Sequence, residues 1–251
     1  MKRKRYKLKK VFYIPIIIIV LIIIISITTK IHKHKKIENK VNDILIETKN
    51  NIDKNSDELL KKAKELKNIN NDFVGILTIP DTIINYPVMY TKGEDYYLRR
   101  SFDKKQSNAG TLYIDKYNNI DPRDDNLIIY GHNMNDGTMF HELLNYKKEE
   151  FYKEHKYIYF TTDKEYEKYE VVASFLSKVY YKTDQVFKYY KFYNANNEDE
   201  FNNYVKNIKK LSLYDTNIKL NYKDKFITLS TCEYSQENGR FAVVLKKIVE
   251  D

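Results

Sequence analysis

The sequence predicts a mainly β fold with helices, in which eight strands form an antiparallel or mixed, barrel-like sheet preceded by helical segments. From Phe73 onward, eight short runs rich in Ile, Val, Leu, Phe and Tyr are separated by Pro, Gly, Asn and Asp: FVGILTIP, INYPVMY, GTLYID, NLIIYGH, KYIYFTT, YEVVASFLSKV, KFITLSTC and RFAVVLKKIV. Few of these runs are separated by helical stretches, which disfavours the alternating strand–helix units of a parallel sheet. An apolar share of 42%, with 24 Tyr and 12 Phe, can fill such a core and argues against disorder along the whole chain.

The elements before the sheet follow from charge and hydropathy. Residues 1–10 hold seven basic residues and no acid, and read as a cytoplasmic tail. Residues 11–29, VFYIPIIIIVLIIIISITT, carry no charge, and at about 1.5 Å per residue they nearly match a hydrocarbon core of about 30 Å. A cleaved signal peptide would have a shorter apolar run ending at a small-residue site, and the following KIHKHKK offers none, so a retained transmembrane anchor is expected. The basic charge before the segment exceeds that after it, which puts the N-terminus inside and the remainder outside the cell. The seven basic residues of the tail and the four of residues 30–36 together exceed the whole chain's net charge of +9. Residues 37–251 are therefore slightly acidic, so the basicity belongs to the anchor's flanks and no nucleic-acid partner is expected.

Residues 30–70 read as a helical stalk with N-terminal packing helices. Val41, Ile44, Leu45 and Ile52, then Leu59, Leu60, Ala63 and Leu66, recur at helical spacing, with Asn55-Ser56-Asp57 as the cap of the second helix. Residues 71–251 form the barrel. Helical interruptions are expected at Thr138–Leu144, Glu149–Lys153 and Asn197–Leu211, the last with Phe201, Tyr204, Val205 and Ile208 on one face.

A single cysteine in an exported domain has no internal disulfide partner, and its surroundings decide between a buried inert thiol and a reactive one. Cys232 ends the strand KFITLSTC, just before a polar loop. His132 ends NLIIYGH in the same way, whereas the other four histidines lie in the basic flank or near predicted helices. Arg240 opens RFAVVLKKIV, and a hairpin joining the last two strands brings guanidinium to thiol. Each residue alone has a mundane reading as a buried thiol, a strand-end cap or a rim charge. Together they match acyl-transfer chemistry, with thiolate as nucleophile, imidazole as proton-transfer group and a permanently charged donor for the oxyanion. His132 precedes Cys232 by 100 residues, the reverse of papain-like order, and the caspase signature is absent.

These residues resemble the sortase family. Leu229-Ser230-Thr231-Cys232 looks like the sortase active-site strand, in which Thr precedes the nucleophilic Cys. Tyr130-Gly131-His132-Asn133-Met134 resembles its His strand end, and Gly239-Arg240-Phe241 the start of its Arg strand. Class B is the most similar subtype: it has helices before an eight-stranded barrel and a long helix between strands 6 and 7. Residues 37–71 and 197–211 fit those positions, and EDYYLRRSFDKKQSNAGTLYID looks like the class B approach to the third strand. The Asp-Pro-aromatic lid motif and C-terminal anchor of pilin-polymerising sortases are not found. Where class B accounts discuss an Asp two positions after the Cys, this chain has Tyr234, so no acidic third member is assigned.

The resemblance implies a cysteine transpeptidase with Cys232, His132 and Arg240 as catalytic residues, and Ser230 and Leu98 as candidates for the peptide groove. Its substrates would be a C-terminal sorting pentapeptide of secreted proteins, of Asn-Pro-x-Thr type, and a peptidoglycan stem or cross-bridge amine. No metal-ligand cluster or nucleotide motif appears, so no cofactor is expected. An extracellular thiol hydrolase and a non-catalytic wall-binding module are the alternative readings.

Overall fold

The computed structural model describes residues 2–52 and 56–249, with side chains from Tyr13 onward. The chain divides into two compact units, one up to Asp43 and one from Ile44. Helix α1 (Lys2–Asn50) contributes to both. In the first unit, the large apolar side chains from Tyr13 to Ile27 are all exposed, so the helix has no polar face there. A helix apolar all round needs an apolar surrounding. Among the described residues this is one helix long and apolar enough to cross a membrane, and it is a candidate anchor. Helix α1 meets no Gly or Pro between Ile16 and Asn50, which suits an unbroken helix over that stretch.

The second unit begins with the end of α1, where Ile44 and Leu45 are buried and the Leu45 carbonyl accepts from Asn85 Nδ2 at 2.6 Å. Helix α2 (Ser56–Ile69) buries Leu59, Ala63 and Leu66 against the sheet and carries Asp57 and Glu58 in its first turn, favourable for the helix dipole. Asn55, the first residue of the expected cap, lies outside the described residues.

Eight strands close a barrel in the order β1-β2-β3-β4-β7-β8-β6-β5. They are β1 (Phe73–Thr78), β2 (Asn85–Met89), β3 (Leu112–Ile114), β4 (Asn126–Tyr130), β5 (Tyr157–Thr162), β6 (Tyr166–Lys178), β7 (Phe226–Cys232) and β8 (Gly239–Lys247). The barrel is mixed: β2 with β3 and β4 with β7 are parallel, and the other neighbours antiparallel.

Side chains alternate across each strand, so every strand has an inner and an outer face. Leu127 and Ile129 of β4, Ile227 and Leu229 of β7, and Phe241, Val243 and Leu245 of β8 belong to one core cluster inside the barrel. The opposite parity, Phe226, Ala242 and Val244, joins a second cluster with Phe201, Tyr204 and Ile208 of helix α4 (Glu198–Leu211). Strands β7 and β8 are thus buried on both faces, which accounts for their near-continuous apolar runs. Asn197 caps α4 by accepting from the Glu200 amide at 2.9 Å. Helix α3 (Glu149–Glu154) lies where expected.

The segment Thr138–Leu144 differs from the helix expected there. A helical 3-10 turn spans Glu142–Lys147, while Met139 has a positive φ of 59° and bridges to Asn133. Folding this loop back over the end of β4 takes precedence over local helical spacing. Its Phe140 amide donates to the His132 carbonyl at 2.8 Å.

Candidate active site

The parallel register of β4 and β7 pairs Asn126 with Phe226 and continues, with a constant offset of 100 residues, to Tyr130 with Ser230. The ladder runs one step further, since the Gly131 amide donates to the Ser230 carbonyl at 3.2 Å. His132 therefore follows β4 at the height where Cys232 ends β7. On the other side, the antiparallel register pairs Cys232 directly with Arg240. All three residues share the parity of the outer face, in step with Tyr130, Ser230 and Ala242. Positions 132, 232 and 240 thus form one row, just past the end of β4 and on β7 and β8, each partly exposed, with Arg240 Nη1 donating to the Gly239 carbonyl at 2.8 Å. The row lies at the strand ends but on the barrel's outer face, not in its lumen.

The local sequence explains why the row is held. A Cβ on Gly131 would lie 2.4 Å from Leu112 Cδ2 and 2.6 Å from the Phe140 ring, so only glycine lets the chain turn against the inner core before His132. Thr231 Oγ1 donates to the Gly131 carbonyl at 2.8 Å, tying β7 to the same turn. Asn133, which sequence reasoning did not single out as a site residue, donates from Nδ2 to the Cys232 carbonyl at 3.2 Å, and its Oδ1 meets His141 Nδ1 at 2.8 Å. Because that amide oxygen only accepts, the His141 nitrogen is the donor.

Two tyrosines flank the row, again unassigned from the sequence. Tyr189 is buried beneath it, its hydroxyl 2.7 Å from Ser230 Oγ, and burial pushes its phenol up to about 12. Tyr113 of β3 lies beside Tyr130, ring centroids 5.6 Å apart. Burial raises its phenol, and both it and Tyr189 lie within electrostatic reach of Cys232 and Arg240. Both phenols therefore stay protonated and neutral at neutral pH.

Leu98 sits in a 3-10 turn, Tyr96–Arg99, with its side chain exposed at the edge of the site and its carbonyl 2.9 Å from His132 Nε2. Ser230, the other groove candidate, lies beneath the surface of the site. It is fully buried and its hydroxyl is engaged by Tyr189, because its parity directs it under the β6–β7 connection. Glu233 next to the thiol is also buried, paired with Lys147 at 2.7 Å and with the Ser235 amide and hydroxyl at 3.0 and 2.6 Å.

The Sortase domain family model matches residues 77–248. The chain belongs to the sortase family. Sortase B of Listeria monocytogenes is 35% identical to this sortase over 195 residues, covering 77% of this chain and 76% of the relative. Sortase B of Staphylococcus aureus is 31% identical over 199 residues, covering 78% and 79% respectively. The structure of a Staphylococcus aureus sortase B–substrate complex superposes with a TM-score of 0.70 at 27% identity, covering 86% of this chain and 95% of that one. The expected class B architecture, an eight-stranded barrel with preceding helices and α4 between β6 and β7, is the one this sortase adopts.

Proposed function

We propose that this sortase is a membrane-anchored cysteine transpeptidase acting on a C-terminal sorting peptide of secreted proteins, with Cys232 as nucleophile. The observation that carries the reading is the single outer-face row in which Cys232 pairs with Arg240 and stands level with His132. The solved complex of a similar sortase B with its substrate supports a substrate-binding role for the same fold here.

In the first step the Cys232 thiolate bonds to the carbonyl carbon after Thr in the sorting signal. The Arg240 guanidinium steadies the negative oxygen of the tetrahedral intermediate. The peptide C–N bond then breaks, the leaving amine takes a proton from the His132 imidazolium, and a thioacyl enzyme remains. In the second step a peptidoglycan amine attacks the thioester, returns a proton to His132 and expels the thiolate. Leu98, exposed beside His132, is the groove candidate that the geometry supports. Ser230 acts from beneath, through its hydrogen bond with Tyr189.

We assign residues 1–10 to a cytoplasmic tail, 11–29 to the anchor, 30–70 to the stalk and N-terminal helices, and 71–251 to an extracytoplasmic catalytic barrel. The test is to incubate the full chain in detergent micelles with an Asn-Pro-x-Thr-type peptide and a nucleophilic amine, and to identify the products by mass. An amide joined to the added amine is expected. Free acid alone, even at high amine, would make the protein a thiol hydrolase. No cleavage across a panel of sorting pentapeptides would favour a wall-binding module.

A further inference from the structure

We propose that Gly110 is a positioning residue for His132, acting through the Leu98 carbonyl. This deepens the reading above, since it rests on His132 being the proton-transfer group. Leu98 O is a pure acceptor, so the ring nitrogen 2.9 Å from it, Nε2, must carry the hydrogen. The neutral ring is then the Nε2–H tautomer, and Nδ1 is the atom left to exchange a proton with thiol, leaving amine or incoming amine. A hydrogen bond to the second nitrogen is how an imidazole is held in one tautomer and one orientation.

The carbonyl is held in turn. Its turn is anchored by Tyr97, which is fully buried, accepts from Asn70 Nδ2 at 2.8 Å and donates to Asp72 Oδ2 at 2.8 Å. The Thr111 amide donates to the Tyr97 carbonyl at 3.0 Å and the Thr111 hydroxyl to the Arg100 carbonyl at 2.8 Å. Between these anchors Gly110 lies directly against the turn, with φ of 62°. A Cβ there would stand 2.5 Å from Leu98 O and 2.7 Å from Tyr97 O. Both atoms are backbone, so neither can swing aside like a side-chain tip. Any other L-residue at 110 must displace the carbonyl that fixes the imidazole.

Gly93 supplies the control. Its φ of 80° is as unfavourable for an L-residue, but a Cβ there meets nothing within 4 Å. Gly93→Ala thus carries the backbone strain without the collision, and Gly110→Ala carries both. The full chain, labelled with 15N-histidine in detergent micelles, is examined by two-bond proton–nitrogen correlation at a pH where the rings are neutral. His132 is assigned by its loss in His132→Gln. The wild-type His132 ring is expected to carry its hydrogen on Nε2. Gly110→Ala is expected to shift or mix that tautomer and to lower kcat for peptide cleavage by about 10- to 100-fold with little change in KM. Gly93→Ala is expected to do neither.

A wild-type neutral ring protonated on Nδ1 overturns the proposal, and needs no variant to fold. So does a Gly110→Ala protein whose ring spectrum matches that of Gly93→Ala, whatever its activity. Retained cleavage in His132→Gln would instead sink the assignment of His132 itself, leaving the tautomer result standing.

Discussion

Glu233 follows the proposed nucleophile directly, and its side chain is buried beside a lysine that the sequence places 86 positions away. Burial alone would raise this carboxyl, but the bonds from Lys147 and from the Ser235 hydroxyl and amide outweigh it and hold it below the ordinary glutamate value. A carboxyl held low contributes stability that is present above its unfolded value and is lost as pH falls through the folded one. Lys147→Met removes the cation and leaves the buried carboxylate with Ser235 alone. The variant should lose about 2 kcal/mol at neutral pH, and its deficit against the wild type should narrow as pH falls, because without the cation Glu233 no longer contributes stability that acid removes. Urea titrations at a series of pH values between about 3 and 7 read both effects. An unchanged pH dependence would show that the pair does not hold the loop after the thiol. At this scale the sequence pointed to Cys232, His132 and Arg240 as candidates, because titratable side chains at strand ends leave a written trace, and the register sets Cys232 opposite Arg240 and level with the end of β4. The Leu98 carbonyl left none, since every residue carries a carbonyl. Asn133 and Tyr189 looked like an ordinary turn residue and an ordinary aromatic until the fold brought them to the row.

The elements were legible where periodicity and packing agree. Phe201, Tyr204 and Ile208 at helical spacing predicted the face by which α4 covers the barrel, and all three are buried against β6, β7 and β8 neighbours. Ile208→Ala should cost about 2–5 kcal/mol in chemical denaturation, whereas Lys206→Ala, on the exposed side, should be nearly neutral. Equal effects would mean that the helix does not use that face. The segment Thr138–Leu144 was misread because its spacing suits a helix, while its actual work is to fold over the end of β4, with Met139 at positive φ and Phe140 buried in the core. Such a constraint comes from tertiary contacts that no local window contains.

For the molecule as a whole, eight strands and a barrel followed from the runs themselves, but the two parallel pairings did not. β4 meets β7 across about 100 residues of chain, and it is this non-local pairing that sets His132 level with Cys232. The apolar helix and its basic flanks predict a chain whose residues after the anchor lie outside the cell. Protease added to the outside of intact cells should digest the barrel and spare the basic tail, and the reverse pattern would contradict that orientation. The thiol at the end of β7 is the proposed nucleophile. Intact mass measurement of the full chain, incubated with an Asn-Pro-x-Thr-type peptide and no added amine, tests it most directly. A mass increase equal to the acyl fragment is expected, mapped to Cys232 and abolished in Cys232→Ala. Cleavage that persists in Cys232→Ala, or an adduct carried on any other residue, would contradict it.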